Sequence, residues 1–178
     1  ANPHDGGTTP SRGMIAVARE TTALALFPII RPRGGDFLYT GPEFRAMVQD
    51  VKACRDLGCD GVVIGMLTED GRVDVQRCAE LIRQAGPMQV TFHRAMDRVR
   101  DPLQALEDII DLGCTRILTS GLHPTAELGK HTLRALVEAA GTRITIMPGS
   151  GVRSGNILAL AAFTGARAFH SSARSVRA

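Results

Sequence analysis

Two stretches of the chain are near copies of each other: "DLGCDGVVIG", from Asp56 to Gly65, and "DLGCTRILTS", from Asp111 to Ser120. Each reads as a helix end, a glycine where the backbone turns left-handed, a cysteine, and then a short apolar strand. A chain that enters strand after strand from a helix end pairs those strands in parallel, with right-handed crossovers. The same grammar predicts strands near Leu24–Arg31, Gly61–Gly65, Met88–His93, Arg116–Ser120, Arg143–Met147 and Arg167–His170, with amphipathic helices between them. Helix starts are marked by Thr40 to Glu43 as a capping box, and by Asp101 before Pro102. Thr9 before Pro10 reads the same way.

Parallel strands make either an open doubly wound sheet or a closed barrel. An open sheet buries both faces of its central strands, yet several strands here carry polar side chains on one face, as a barrel interior does near its mouth. The expected fold is therefore α/β, a parallel (β/α) barrel of the triosephosphate-isomerase type. A full barrel has eight strands and about 250 residues, whereas this chain has 178 residues and about six strands. The expectation is a single domain over residues 1–178 that is incomplete at its N-terminus, lacking the first strand, the first helix and the second strand. Pro28 fits either a bulge or a strand whose preceding neighbours are absent. Open parallel edges invite pairing with a second copy.

Composition excludes several functions. No apolar run approaches the roughly 18 residues of a transmembrane helix, and "ANPHDGGTTP" has no signal-peptide character, so a cytoplasmic location without membrane contact is expected. A net charge of +3, with no block of lysine and arginine, argues against nucleic acid. The four cysteines, Cys54, Cys59, Cys78 and Cys114, lack CxxC spacing, which points to reduced thiols rather than disulfides or zinc.

In barrels the loops after the strands form the active face. The strand "QVTFHRAMD" sends Val90 and Phe92 to one face and Gln89, Thr91 and His93 to the other, and it ends in three ionisable residues, His93, Arg94 and Asp97. Taken alone, His93 reads equally as a core histidine or as a proton-transfer residue. Arg31 and Arg33 share parity, so both are expected to point into the mouth, with Asp36 or Asp97 as the carboxylate partner. "MPGSGVRSGN" places Gly149, Ser150 and Gly151 between a strand and a helix, where free backbone N–H groups favour an anion. Ser172 and Arg174 of "HSSAR" follow the last strand, matching the usual phosphate site of barrels.

"IRPRGGDF", "DGVVIG" with "LTEDG", "VTFHRAMD", "RILTSG", "IMPGSGV" and "FHSSAR", in this order from Gly6 onward, together resemble the copper homeostasis protein CutC family. The resemblance implies a cytoplasmic barrel, linked by name to copper handling and proposed to bind monovalent copper. This sequence departs from the family pattern in lacking the upstream residues, which include cysteines at strand ends. It also stops soon after Arg174, and it has Gly149-Ser150-Gly151 where three glycines are frequent. Cys59 and Cys114 precede strands separated by one other strand, so they are expected roughly 10 Å apart at about 4.8 Å per strand. Two sulfur ligands of one ion lie within roughly 4.6 Å of each other. Cys54 and Cys78 are expected to pack as small hydrophobes. Met66, Met96 and Met147 follow strands and are soft, but core or rim packing is their expected role. No metal ligand set can be named from the residues.

Two functions stand side by side. One is a homeostasis protein that binds copper(I), implied by the resemblance. The other is a barrel enzyme acting on a small anionic or phosphorylated metabolite. In the second, Gly149, Ser150, Gly151, Ser172 and Arg174 hold the anion and Arg31 and Arg33 stabilise negative charge. His93 moves a proton, with Asp97 or Asp36 orienting it or pairing with an arginine.

Overall fold

The structure, a computed structural model, describes residues 6–172. Its elements run α1 (Arg12–Thr21), α2 (Gly41–Asp56), β1 (Gly61–Ile64), α3 (Val75–Ala85), β2 (Gln89–Phe92), a 3₁₀ turn (Arg94–Arg98), α4 (Pro102–Asp111), β3 (Arg116–Thr119), α5 (Lys130–Ala140), β4 (Thr145–Pro148) and α6 (Ile157–Thr164). The four strands form one parallel sheet in the order β1-β2-β3-β4. Sequential order with a helix between neighbours is the winding of a barrel wall.

The repeated joint has one geometry in both copies. After α2, Gly58 N–H donates to Arg55 O and Cys59 N–H donates to Cys54 O; after α4, Gly113 N–H donates to Ile110 O and Cys114 N–H donates to Ile109 O. Gly58 at φ 72° and Gly113 at φ 82° supply the left-handed turn. These paired bonds are a Schellman motif, which satisfies the last carbonyls of the helix and aims the chain into the next strand.

Strand alternation then divides the side chains. Val62, Ile64, Phe92 and Ile117 are fully buried on the helix side, against faces such as Cys78, Leu81 and Ala85 of α3 and Ala105, Leu106 and Ile109 of α4. Each such burial contributes roughly 1.5–3 kcal/mol. The opposite face, with Val63, Thr91, Leu118 and Met147, looks onto a cavity.

The two outermost predicted strands form only in part. Along β1, Asp60 and Gly61 N–H donate to Leu26 O, Val63 N–H to Pro28 O, and Ile30 N–H to Val63 O. Pro28 has no N–H to give, and the pairing contracts to a bridge between Ile29 and Val63. Pro28 thus lies in an edge segment rather than in a bulge of a central strand. Beyond β4, the Arg167–His170 segment is tied by one ladder bond, from His170 N–H to Pro148 O. The first helix starts at Arg12, capped by Ser11, whose Oγ accepts from Met14 N–H, and not at Thr9–Pro10. The other two predicted starts form as expected. Thr40 and Glu43 make a reciprocal capping box, and Asp101 accepts from Leu103 and Gln104 N–H ahead of Pro102.

A Cβ added at Gly58 or Gly113 meets no atom within 4 Å, so substitution there tests the left-handed backbone alone. Gly113→Ala should cost about 1 kcal/mol and lower Tm by about 2–4 °C for a chain of this size, read by thermal denaturation. Unchanged melting in both Gly58→Ala and Gly113→Ala would show that the joints do not hold the strands.

Candidate functional site

The inward face of β2 leads to His93, whose exposure is 3%. The ring lies directly over Gly65 at the end of β1, and a Cβ at that position would collide with ring atoms Nδ1 and Cε1. Glycine there makes the space. His93 also caps the 3₁₀ turn, its Nδ1 accepting from Ala95 N–H at 3.1 Å. That bond assigns the ring proton to Nε2. Nε2 is buried and has no hydrogen-bond partner. The ring sits 4.9 Å from that of Phe37, and the Arg31 guanidinium lies 5.0 Å from the same Phe37 centroid. Burial, with the Arg31 charge nearby, pushes the His93 pKa down to about 3.

The cavity over the inner face of the sheet measures about 1780 Å³ and is broadly open. Among the described residues, Arg31, Arg94, Arg98, Arg116 and Arg153 line it, against one carboxylate, Asp97. Arg31 is buried at 5% exposure and is held by donation to Gly7 O (3.1 Å) and Gly35 O (2.8 Å). Ser150, Gly151 and Val152 line the far side. Among the described residues no hydrogen bond uses their three backbone N–H groups. Ser150 and Gly151 both have left-handed backbones, at φ 72° and 74°, and Ser150 Oγ donates to Pro124 O.

The other residues singled out from the sequence scatter around this centre. Arg33 does not join Arg31 in the mouth. The backbone bends over residues 32–35, so strand parity ends at Arg31, and Arg33 turns outward to Glu43 (2.7 Å) and Asp36 (2.9 Å). Asp36 is exposed and held ionised by Arg33 and by Leu38 N–H. Asp97 lies at the cavity wall but is committed elsewhere. It accepts from Thr119 Oγ1 (2.6 Å) and from the N–H groups of Ser120 (2.9 Å) and Leu122 (3.2 Å), and it pairs with Arg94 at 2.6 Å. These contacts staple the 3₁₀ turn to the end of β3, so Asp97 is a positioning residue rather than a partner of His93. Ser172 lines the cavity. Arg174 lies outside the described residues. Arg116, which stacks at 4.9 Å from the Phe27 centroid, was not anticipated, although its parity with inward-facing Leu118 is visible in the sequence.

Two features bear on chemistry the site would need. The chain has two lysines, Lys52 on α2 and Lys130 at the start of α5, and neither lines the cavity. Among the described residues no three His, Cys, Asp or Glu side chains converge to hold a metal. All four cysteines are buried, and burial raises their pKa values, to about 12 for Cys54 and Cys114. Cys54 and Cys59 lie side by side, Cys59 N–H donating to Cys54 O at 3.0 Å, and their thiols are close enough to shift each other's pKa. The Schellman motif brings its third-last helical residue against the residue after its glycine, and in the first joint both are cysteine. Cys54 is fully buried in the core, as expected of a packing residue, and has a second thiol beside it. Met66 and Met96 are fully in the core, as expected, while Met147 faces the cavity.

The sequence model of the CutC family matches residues 1–175. A CutC family protein of Chromobacterium violaceum is 58% identical over 173 residues, covering 97% of this chain and 70% of that protein. One from Xylella fastidiosa strain Temecula1 is 52% identical over 171 residues, covering 96% of this chain and 64% of that protein. The chain thus spans about two thirds of the length of these curated relatives. The crystal structure of CutC from Streptococcus agalactiae superposes with a TM-score of 0.91 at 33% identity, covering 95% of this chain and 84% of the other. An aldolase, QR15, superposes with a TM-score of 0.69 at 17% identity, covering 89% and 73%, a likeness of fold alone. Among the described residues no helix is long and apolar enough to cross a membrane.

The depressed His93 pKa sets a sign for acid stability. The folded imidazole stays neutral to about pH 3, while the unfolded one takes a proton below about pH 6.5, so acid favours unfolding. Between pH 7.5 and 5.5 this group alone should remove about 1.4 kcal/mol. Urea unfolding of the wild type and His93→Gln at both pH values measures it. An equal pH dependence in the two proteins would contradict the buried neutral imidazole.

Proposed function

The chain belongs to the CutC family, and on that premise we propose that its cavity binds a small anionic metabolite and acts on it by proton chemistry at the strand ends. What supports this is the charge of the cavity wall, five guanidiniums against one carboxylate among the described residues, with the N–H groups of Ser150, Gly151 and Val152 unused by any described residue on the same wall. Guanidinium and backbone N–H are the donors that oxyanions take. In this reading Ser150, Gly151, Val152 and Ser172 hold the anionic group, Arg31 stabilises negative charge, and His93 holds a proton at Nε2; Gly149, expected from the sequence to join them, spends its N–H on Thr119 O and does not line the cavity. Asp97 keeps the 3₁₀ turn in place behind His93. The reaction class is proton transfer or carbonyl polarisation rather than Schiff-base chemistry, because no lysine reaches the cavity from the described residues.

Inorganic phosphate tests the anion site. At tenfold excess over its Kd it should stabilise the chain by about 1.4 kcal/mol, a rise in Tm of about 3–5 °C, and the shift should shrink with added chloride as the arginines are screened. A folded chain whose Tm is indifferent to 10 mM phosphate would remove this reading.

The second reading, handling of monovalent copper in the cytoplasm, follows the family's name, and the adjacency of Cys54 and Cys59 at the first joint favours it. Thiolates are soft donors suited to copper(I). Both groups are protonated and buried near neutral pH, so binding would have to release their protons. Copper affinity should therefore be weak at pH 7 and rise with pH, measured by competition with a copper(I) chelator. Tight binding that survives both Cys54→Ser and Cys59→Ser would show that this pair is not the site.

A further inference from the structure

We propose that His93 donates its Nε2–H to a carbonyl oxygen of the ligand, so that the cavity takes a small carbonyl compound bearing an anionic group. This rests on the anion reading above and narrows it to a substrate class. A buried N–H is almost always hydrogen-bonded in a folded protein, yet Nε2 meets no acceptor, although the residue lines the cavity. The other ring nitrogen is spent on Ala95 N–H, and the ring fills the space that Gly65 leaves open at the end of β1. The side chain is thus fixed as a donor with nothing to receive its proton.

The kind of acceptor follows from what surrounds it. Anionic oxygens already have guanidiniums and free amides to choose from on the same wall, and these bind charge more strongly than a neutral ring does. A neutral imidazole N–H is suited to polarising a carbonyl without adding a charge of its own. Burial and the Arg31 charge keep it neutral. His93 follows β2 and the free amides from Ser150 onward follow β4, two strands away, or roughly 10 Å at about 4.8 Å per strand. A hydrogen bond of about 3 Å at each end leaves a gap that a three- or four-carbon chain fills. With no lysine on the cavity wall, the carbonyl is held by hydrogen bonding and no covalent step is involved.

Dihydroxyacetone phosphate and sn-glycerol 3-phosphate differ at the carbonyl, and inorganic phosphate lacks the carbon chain, so calorimetric titration of the full chain with all three separates the ideas. The wild type should bind the ketone about tenfold more tightly than the alcohol. His93→Ala should abolish that ratio, with both esters binding alike, and His93→Gln, which keeps an N–H donor, should restore part of it. On the wild type itself, the ¹⁵N and proton signals of His93 Nε2–H should move on adding the ketone and stay in place with the alcohol. Equal wild-type affinity for the two esters, or a His93 signal indifferent to both, would overturn the carbonyl assignment while phosphate binding still upheld the anion site. Failure of all three to bind would remove the anion reading itself.

Discussion

Every strand of this sheet has to be entered from the same end, and the left-handed glycine joint is what makes that possible. Gly58 and Gly113 turn the chain out of α2 and α4 while their N–H groups, with those of Cys59 and Cys114, close the helix carbonyls behind them. Once the entry is set, alternation along each strand decides everything on the two faces. Val62, Ile64, Phe92 and Ile117 go to the helices, and the residues between them go to the cavity. The direction of entry also fixes which loops gather, since all strand C-termini emerge on one rim. Arg31, His93, Asp97 and Ser150 come from four separate stretches of chain and still meet around one opening.

The centre of that rim is an arrangement of mutual exclusion. Gly65 has no side chain, so the His93 ring fits. Because the ring fits there, its Nδ1 reaches Ala95 N–H and caps the turn. The turn in turn presents Asp97 to the N–H groups at the end of β3, where Leu122 takes a left-handed backbone at φ 64°. A non-glycine residue pays for that conformation in strain of order 1 kcal/mol, offset by the carboxylate that collects its N–H. Strain beside an open cavity fits a wall built to hold geometry rather than to maximise stability.

Much of this was legible in the sequence, and the failures have physical causes. The joints, the four central strands and the inward direction of Thr91 and His93 follow from local rules: glycine at a helix end and a period of two. Arg33 was misplaced because parity holds only while the backbone stays extended, and the bend over residues 32–35 is not marked by any periodicity. Of the two partners the sequence offers Asp97, an arginine or His93, the structure gives it the arginine. Its bond to Arg94 is local and readable, but its bonds to Thr119, Ser120 and Leu122 cross more than twenty residues. The outer strands were overcalled because an apolar run signals burial, whereas a ladder needs donors that Pro28 lacks. The meeting of Cys54 and Cys59 was readable in principle from the same helix-end motif that revealed the repeat.

The chain carries nearly all its positive charge as arginine rather than lysine. A guanidinium keeps its proton at any pH in which a protein remains folded, and it is more weakly hydrated than an ammonium group. The five on the cavity wall therefore give the mouth a positive field that reaches beyond direct contact. In the anion reading, attraction to this mouth is tunable by ionic strength. Control over what enters would then lie in the salt of the surroundings and in the charge state of the incoming molecule.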